Sequence, residues 1–118
     1  MHIDEYRDFV MSKKGVTEEL PFGPDTLVFK VMGKVFALVP LDTEDFRISL
    51  KNTPEKNQDL RASYPGIQGA FHMNKLHWSM FLMNMGIPSS VLQECTNDSY
   101  NLVVKGLTKK LQAELENL

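Results

Sequence analysis

The sequence predicts one α+β domain in which helices cover one face of an antiparallel sheet. The length of 118 residues matches a single ordinary domain, and 42% of the residues are hydrophobic, which supplies the material for a core. Helical and strand periodicities alternate along the chain, which is typical of a mixed fold. Short turns join the strands, and strands joined in this way pair antiparallel because a parallel pair needs a long crossover.

The first half of the chain predicts a helix and then a β-hairpin. Apolar side chains recur at helical spacing near the start, so residues 3–13 are expected to form a helix. Residues 27–32 and 34–39 are rich in Val, Phe and Leu, and Gly33 lies between them. A glycine can adopt the positive φ that a tight hairpin turn needs, so these two segments should pair as a hairpin.

A third strand, a helix and a short edge segment are expected next. Residues 46–50 alternate between apolar and polar side chains, which predicts a strand with one buried and one wet face. A threonine as N-cap and a proline at the first helical position predict a short helix over residues 53–63. Residues 69–73 are expected to form a short strand or a loop edge.

Residues 77–83 alternate once more and predict a further strand. One set of side chains is expected to face the core: Trp78, Met80 and Leu82. The other set is expected to face away from it: His77, Ser79 and Phe81. Ser90 and Gln93 have the spacing of a capping box, so a long helix should begin near them. It should end at Gly106, and Thr108 should open a short terminal helix.

Composition narrows the classes of protein that fit. The formal net charge of −2 argues mildly against a dedicated nucleic-acid binder, which usually carries a basic excess. One cysteine, Cys95, excludes an intrachain disulfide and a zinc ligand set, which suits the reducing cytoplasm. The N-terminus lacks an apolar signal core, and residues 27–41 are too short and too charged to span a membrane. No nucleophile stands beside a base and no glycine-rich phosphate loop is present, so we expect neither enzyme activity nor a cofactor.

Residues 72–78, with the sequence His-Met-Asn-Lys-Leu-His-Trp, concentrate several chemically distinctive side chains in one segment. They include two histidines, an asparagine, a lysine and the only tryptophan of the chain. Together with residues 20–31, 48–51 and 99–103, this segment makes the chain similar to the MmcQ/YjbR family over nearly its whole length. The His-x-Asn-Lys-x-His-Trp stretch is the most specific part of this resemblance.

The resemblance implies both a fold and a function. The implied fold is similar to that of the bacterial frataxin homologue CyaY, in which helices pack on one side of a twisted antiparallel sheet. The implied function is a DNA-binding module of the double-wing type, with double-stranded DNA as the partner. These are separate inferences, because one fold hosts many functions.

Strand alternation supplies candidate phosphate contacts for such a module. If the apolar set of each strand faces the core, basic side chains gather on the exposed sheet face, beside the hydroxyls of Ser49 and Ser79. The candidate contacts to nucleic acid are Lys30, Arg47, Lys51, His72, Asn74, Lys75 and His77. Lysine, arginine and serine are also common on any solvent-facing strand, so this stripe has a purely structural alternative.

Two other classes of function stay open. A protein- or small-ligand-interaction domain would use the same face, with Phe81, Met83 and Met85 exposed, since methionine adapts to varied partners. An iron-binding ridge on the first helix would use Asp4 and Asp8, but basic residues on the same helix weaken it.

The distinctive side chains of residues 72–78 also have structural interpretations. His72 and His77 lie five residues apart with no third ligand nearby, so we expect one of them to fix a turn rather than to bind a metal. Asn74 suits a turn, because its side chain can bond its own backbone and because it tolerates the left-handed region. Trp78 is expected in the core with its N–H satisfied.

Overall fold

The computed structural model describes residues 1–118 and contains four helices and six strands. In chain order these are α1 (Ile3–Met11), β1 (Val16–Glu19), β2 (Thr26–Val31), β3 (Lys34–Pro40), β4 (Arg47–Lys51), α2 (Pro54–Ser63), β5 (Ile67–Gly69), β6 (Trp78–Leu82), α3 (Ser89–Lys105) and α4 (Lys109–Glu116). The strands form one sheet in the order β1-β2-β3-β4-β6-β5, and every neighbouring pair is antiparallel. The α+β fold class and the antiparallel sheet expected from the sequence are therefore confirmed. None of the helices combines the length and the apolar character needed to cross a membrane.

The helices pack on one face of the sheet, as predicted. A single cluster of 18 buried residues joins them to the strands. The helix residues in this cluster are Tyr6, Val10, Leu60, Leu92, Cys95, Val103 and Leu115. Strand residues enter the cluster at alternate positions, as Ile48 and Leu50 of β4 do, so one side of the sheet forms the core face. We call the opposite side, which carries Leu38, Ser49 and Met80, the open face.

Local sequence signals explain two of the confirmed elements. Met32 (φ 49°) and Gly33 (φ 84°) both adopt the left-handed region, which gives the β2–β3 hairpin a turn whose twist matches that of its strands. Thr53 caps α2 by accepting a hydrogen bond from the N–H of Lys56 at 3.3 Å. Pro54 occupies the first helical position, where its missing N–H costs nothing.

Three details differ from the sequence expectation. β1 was not predicted, because a short edge strand with a single apolar residue carries almost no periodicity. β5 ends at Gly69 instead of lying within residues 69–73. α3 begins after Pro88 without a side-chain cap, so the capping box of Ser90 and Gln93 does not form.

The predicted orientation of β6 is wrong. Phe81 pairs with Ile48 and Ser79 pairs with Leu50, so Phe81 and Ser79 lie on the core face and are buried. The set that was expected in the core is half-buried on the open face instead: Trp78, Met80 and Leu82. The open side of β6 carries three apolar residues and the core side only Phe81 beside Ser79, so alternation favours the wrong side, and the pairing with β4 decides.

Candidate functional site

A buried asparagine of α2 holds the segment that leads into β6. Asn57 is 1% exposed, and its amide nitrogen donates to the carbonyl oxygens of Asn52 (3.3 Å) and Leu76 (3.0 Å). Its amide oxygen accepts a hydrogen bond from the Ser79 hydroxyl at 2.9 Å. Both ends of the amide are thus used inside the protein, which ties α2 to the strand and to the preceding loop.

Arg61 lies one turn further along α2 and extends this contact. Its Nε donates to Ser79 Oγ at 3.1 Å, and its Nη2 donates to the carbonyl oxygens of Lys75 (2.5 Å) and Trp78 (2.8 Å). These bonds explain how a serine is tolerated on the core face, because its hydroxyl donates to Asn57 and accepts from Arg61. We call Asn57 and Arg61 the α2 clamp.

The tip of the clamped segment is a tight turn around His72. His72 adopts the left-handed region (φ 61°), and Asn74 Oδ1 accepts a hydrogen bond from the N–H of Leu76 at 2.9 Å. The predicted backbone bond of Asn74 is confirmed, but the left-handed residue is His72. The His72 ring does not fix the turn by a hydrogen bond and lies edge-on to Phe71, with the ring centres 5.5 Å apart.

A groove of about 560 Å³ lies on the open face. Strand side chains form its floor, and its rims come from the turn at residues 20–25 and from residues 71–73. The lining residues are Phe22, Thr26, Val35, Leu38, Pro40, Thr43, Arg47, Ser49, Phe71, His72, Met73, Trp78 and Met80. We call it the apolar groove, because aliphatic, aromatic and thioether side chains make up most of this lining.

The one fixed charge in the apolar groove is already paired. Arg47 Nη2 lies 2.5 Å from Asp45 Oδ1, and this hydrogen bond holds the pKa of the Asp45 carboxyl below its usual value. Aromatic side chains stand out on the rims, where Phe22 is 74% exposed and Phe71 is 72% exposed. Large exposed apolar side chains beside an apolar groove are typical of a binding surface.

A second pocket of about 490 Å³ shares Trp78 with the apolar groove and lies where β4 ends and α2 begins. Its lining residues are Lys51, Asn52, Thr53, Pro54, Asn74, His77, Trp78 and Leu102. We call it the polar cleft. No carboxylate lines it, and Lys51 takes no part in the ion pairs of the chain, which are Arg7–Glu18, Lys30–Glu19 and Arg47–Asp45. The cleft therefore carries an uncompensated positive charge.

Three of the candidate phosphate contacts are engaged with neighbours on the open face or its rim. Lys30 Nζ lies 3.4 Å from Glu19 Oε1, and Arg47 has the carboxylate partner described above. Lys75 Nζ lies 5.6 Å from the ring centre of Phe71, where its charge interacts with the π-face. Alternation could not reveal the Lys30 pair, because Glu19 belongs to the strand that was not predicted.

The other four candidates lie in two separate places. His72 lines the apolar groove, whereas Lys51, Asn74 and His77 line the polar cleft. Ser79, which was expected beside them, is buried on the core face. The structure therefore brings three of the seven predicted contacts together and does not form the continuous basic stripe that alternation suggested.

Apolar surface is present, but it comes from residues other than the predicted ones. Phe81 is 1% exposed and Met83 packs against the core, so only Met85 of the predicted set is exposed. The open face presents Phe22 and Phe71 instead. Both lie outside regular elements, where no periodicity exists to mark them.

Other chemically distinctive groups are buried or dispersed. Cys95 lies in the core, and burial raises the pKa of its thiol to about 11, which suppresses the reactive thiolate at neutral pH. No group of three or more His, Cys, Asp or Glu side chains is placed to hold a metal ion. The apolar groove and the polar cleft are the pockets lined by candidate phosphate contacts, so we take them as the two candidate sites.

Comparisons with known proteins place the chain in a family. A family model described as YjbR matches residues 11–102. The protein YbdF of Escherichia coli O157:H7 is 41% identical over 96 residues, which cover 78% of this chain and 75% of that protein. The protein YjbR of Escherichia coli strain K12 is 27% identical over 118 residues, which cover 100% of both chains.

Solved structures agree with this assignment. The crystal structure of a Deinococcus radiodurans protein with a DUF419 domain superimposes with a TM-score of 0.90 at 34% identity, over 97% of this chain and 87% of that one. A crystal structure from Pseudomonas syringae gives a TM-score of 0.75 at 28% identity, over 86% of this chain and 98% of that one. The family model covers most of the chain, so the resemblance seen around residues 72–78 is confirmed, and the chain belongs to the YjbR family.

Proposed function

We propose that the chain is a binding module rather than an enzyme, and that its apolar groove holds a small aromatic molecule. The groove itself carries this proposal, because its volume of about 560 Å³ falls within the range of small-molecule sites, roughly 300–1,000 Å³. Its lining also has the usual composition of such sites, with apolar and aromatic side chains and a few polar groups. Its single fixed charge is paired, which leaves little to attract a polyanion.

The side chains around the groove favour a flat aromatic ligand. Phe22, Phe71 and Trp78 offer ring faces and edges, and each aromatic pair contributes roughly 0.5–1.5 kcal/mol beyond the burial of area. Met73 and Met80 add thioethers, which adapt to the outline of a bound ring. The guanidinium and serine groups of the floor would orient the ligand.

The shape of the surface favours a small ligand over a partner protein. A stable protein interface buries about 800 Å² on each partner and is usually broad. Here the exposed apolar side chains surround a concave groove between the turn at residues 20–25 and residues 71–73. A protein partner would have to insert a protruding side chain to reach the floor.

The single tryptophan of the chain makes the proposal easy to test, because Trp78 lines the groove. The neutral aromatic probe N-phenylnaphthylamine should bind saturably, gain fluorescence and quench Trp78. Leu38→Lys should weaken this binding at least about tenfold, because it places an ammonium group on the apolar floor. Leu38 is half-buried on the open face, so the variant should still fold.

Met11→Lys provides the matched control. Met11 is 40% exposed at the end of α1, away from the groove, and the substitution adds the same charge. It should leave the affinity for the probe unchanged. Equal affinities of both variants and the wild type would show that the probe binds elsewhere and would refute the proposed site.

Double-stranded DNA is the second candidate ligand. The observation that favours it is the placement of Lys51, Asn74 and His77 in one cleft that no carboxylate lines. Lys75 and His72 lie on the loop between the cleft and the groove and could extend the contact along a phosphate backbone. The paired states of Lys30 and Arg47 reduce the number of cations available to such a complex.

Fluorescence anisotropy of labelled duplex DNA across a salt series tests this second candidate. Binding should weaken steeply with salt, and Lys51→Ala/Lys75→Ala should lower the slope by roughly one unit for each lost phosphate contact. Lys34→Ala/Lys109→Ala removes the same charge at exposed positions outside the cleft and should leave the slope nearly unchanged. The absence of binding at low salt would rule DNA out as the ligand.

We further propose that the module works in the cytoplasm. Its only cysteine is a free thiol buried in the core, and no disulfide stabilises the fold. Free buried cysteines are usual in reducing compartments, whereas small secreted domains tend to be rich in disulfides. Fractionation of cells that express a tagged full-length chain would test the location.

A further inference from the structure

We propose that the polar cleft is a binding pocket for a phosphate group. This inference goes beyond the aromatic ligand of the apolar groove and does not rest on it, because the two pockets share only Trp78. The lining of the cleft combines hydrogen-bond donors with positive charge and contains no carboxylate. That is the composition that recognises phosphate oxygens.

A buried amide of Asn52 carries the proposal. Asn52 is 8% exposed, and its Oδ1 accepts a hydrogen bond from the N–H of Thr53 at 2.9 Å. Its Nδ2 is buried and has no hydrogen-bond partner. The bond to Thr53 fixes the orientation of the amide, since a backbone N–H cannot donate to an NH₂ group. A buried donor without an acceptor costs stability, which is explained if a ligand supplies the missing acceptor.

Asn74 repeats this arrangement in the same cleft. Its Oδ1 accepts the N–H of Leu76 at 2.9 Å, so its NH₂ group is left to donate outward. Lys51 adds an ammonium group that no carboxylate neutralises, and His77 adds a ring nitrogen. The lining therefore offers a ligand several donors from separate side chains.

The start of α2 adds to the positive potential of the cleft. Thr53 and Pro54, the N-cap and the first residue of this ten-residue helix, are both part of the lining. A helix dipole places partial positive charge at this end, which favours an anion. The helix end alone is an ordinary feature, and the unpaired amide of Asn52 is what distinguishes this one.

The cleft suits an anion better than a cation, because no carboxylate lines it. The side-chain oxygens of Asn52 and Asn74 already accept backbone N–H groups, and the hydroxyl oxygen of Thr53 accepts the N–H of Lys56. The groups of the lining without a partner include the NH₂ groups of Asn52 and Asn74 and the ammonium group of Lys51. A phosphate has several oxygens that can meet donors from different sides, so it suits this set better than a carboxylate.

Amide NMR spectra of the full chain, titrated with inorganic phosphate and then with phenyl phosphate, test the inference. The side-chain amide of Asn74 and the backbone amide of Thr53 should shift and saturate. Asn52→Asp should weaken this binding at least about tenfold, because it keeps the acceptor for Thr53 and replaces the free donor with a negative oxygen. Asn84→Asp makes the same charge change at an exposed turn and should leave the affinity unchanged.

Lys51→Met provides a second variant should Asn52→Asp fail to fold. The backbone N–H of Lys51 donates to the Ser99 hydroxyl oxygen at 3.0 Å, and its side chain belongs to none of the ion pairs, so the side chain can be replaced without loss of such a pair. We expect Lys51→Met to fold normally and to lose phosphate affinity, again at least about tenfold.

Titration with a short duplex DNA distinguishes the two sources of a phosphate group. Shifts with phenyl phosphate but none with DNA identify a small phosphate ester as the ligand. Shifts with DNA alone, lost in Asn52→Asp, identify the nucleic-acid backbone. The inference is overturned if none of the three ligands shifts Thr53 and Asn74, or if the affinity of Asn52→Asp equals that of Asn84→Asp. Leu38→Lys should leave the shifts intact, so a failed groove does not count against the cleft.

Discussion

The apolar groove and the polar cleft share Trp78 and differ in almost everything else. The groove takes its floor from alternate positions within the strands, where a sheet face without covering helices leaves apolar side chains half-exposed. The cleft takes its lining from the end of β4, the start of α2 and the loop before β6. The strands thus supply mostly packing surface to the groove, with Arg47 Nε as an unpaired donor there, whereas the end of β4 and the start of α2 supply the donors of the cleft. The difference shows how one sheet can offer two kinds of site side by side.

The α2 clamp is the structural feature that the two pockets have in common. Residues 71–73 form a rim of the groove, and Asn74 and His77 line the cleft. All of these residues belong to the segment before β6, which the hydrogen bonds of Asn57 and Arg61 hold in place. The hydrogen bonds of the clamp go to backbone carbonyls and to Ser79, not to the side chains that line either pocket, yet we expect both sites to depend on it.

The largest expected effect therefore comes from Asn57→Ala. The substitution leaves the Leu76 carbonyl and the Ser79 hydroxyl with fewer partners in a buried place, so we expect a loss of about 2–4 kcal/mol in the free energy of unfolding. Urea denaturation measures it, and both ligand affinities should fall together. Asn101→Ala, at an exposed position of α3, should cost little. Equal losses in the two variants would mean that the clamp is not what holds the segment.

The sequence predicted β4 and misjudged its neighbour β6 for a physical reason. In β4 the apolar positions Ile48 and Leu50 alternate with charged and polar ones, so the buried face is unambiguous. In β6 the more apolar side, with Trp78, Met80 and Leu82, lies on the open face, and the core side contains Ser79. A serine in a strand predicts a solvent-facing position. Its burial is explained only by its hydrogen bonds to Asn57 and Arg61, which lie on α2.

The candidate site was predicted only in part, for the same kind of reason. Residue type selected Lys51, Asn74 and His77 as part of a stripe of seven, and the structure places these three along one cleft. It could not show that Arg47 is neutralised by Asp45, because ion pairs depend on geometry that a linear pattern does not contain. The sequence also could not show that the amide nitrogen of Asn52 lacks a partner, since an asparagine before a helix usually indicates nothing more than a turn.

A crossed pair of substitutions tests whether the two pockets act independently. Leu38→Lys should weaken binding of the aromatic probe at least about tenfold and leave the affinity for phosphate unchanged. Asn52→Asp should weaken phosphate binding by at least about the same factor and leave the affinity for the probe unchanged. The double variant should show the sum of the two free-energy changes, because the pockets share no charged side chain. Non-additivity measured in the double-mutant cycle would show that the two pockets are coupled.

A smaller effect should distinguish charge from apolar contact within the groove. Asp45→Asn removes the carboxylate that pairs with Arg47 and keeps the size of the side chain. The freed guanidinium should raise the affinity for the anionic probe anilinonaphthalene sulfonate by about threefold. The affinity for neutral N-phenylnaphthylamine should stay the same. A parallel rise for both probes would indicate that the substitution reshapes the groove rather than releasing a charge.

The smallest expected effect concerns the ion pair of Arg7 and Glu18, which lies away from both pockets. It serves as a reference for the other substitutions that change a charge. Arg7 bonds Glu18 at 3.0 and 2.5 Å and thereby holds the pKa of Glu18 below its usual value. A carboxyl whose pKa is lowered by folding stabilises the protein above its unfolded-state pKa and loses that contribution as the pH falls through the folded value. The side chains are 44% and 28% exposed, so solvent and salt screen the pair.

Glu18→Gln should therefore cost a small amount of stability at neutral pH, and the difference from the wild type should vanish as the solution is acidified. Urea denaturation at several pH values measures this difference, and added salt should reduce it. Glu116→Gln, at an exposed position of α4, should show no such convergence. Both pockets should keep their affinities in Glu18→Gln, because neither lining includes Glu18 or Arg7. A change in either affinity would mean that charge reaches the pockets over long range, and the effects expected of Asp45→Asn and Asn52→Asp would then lose their local interpretation.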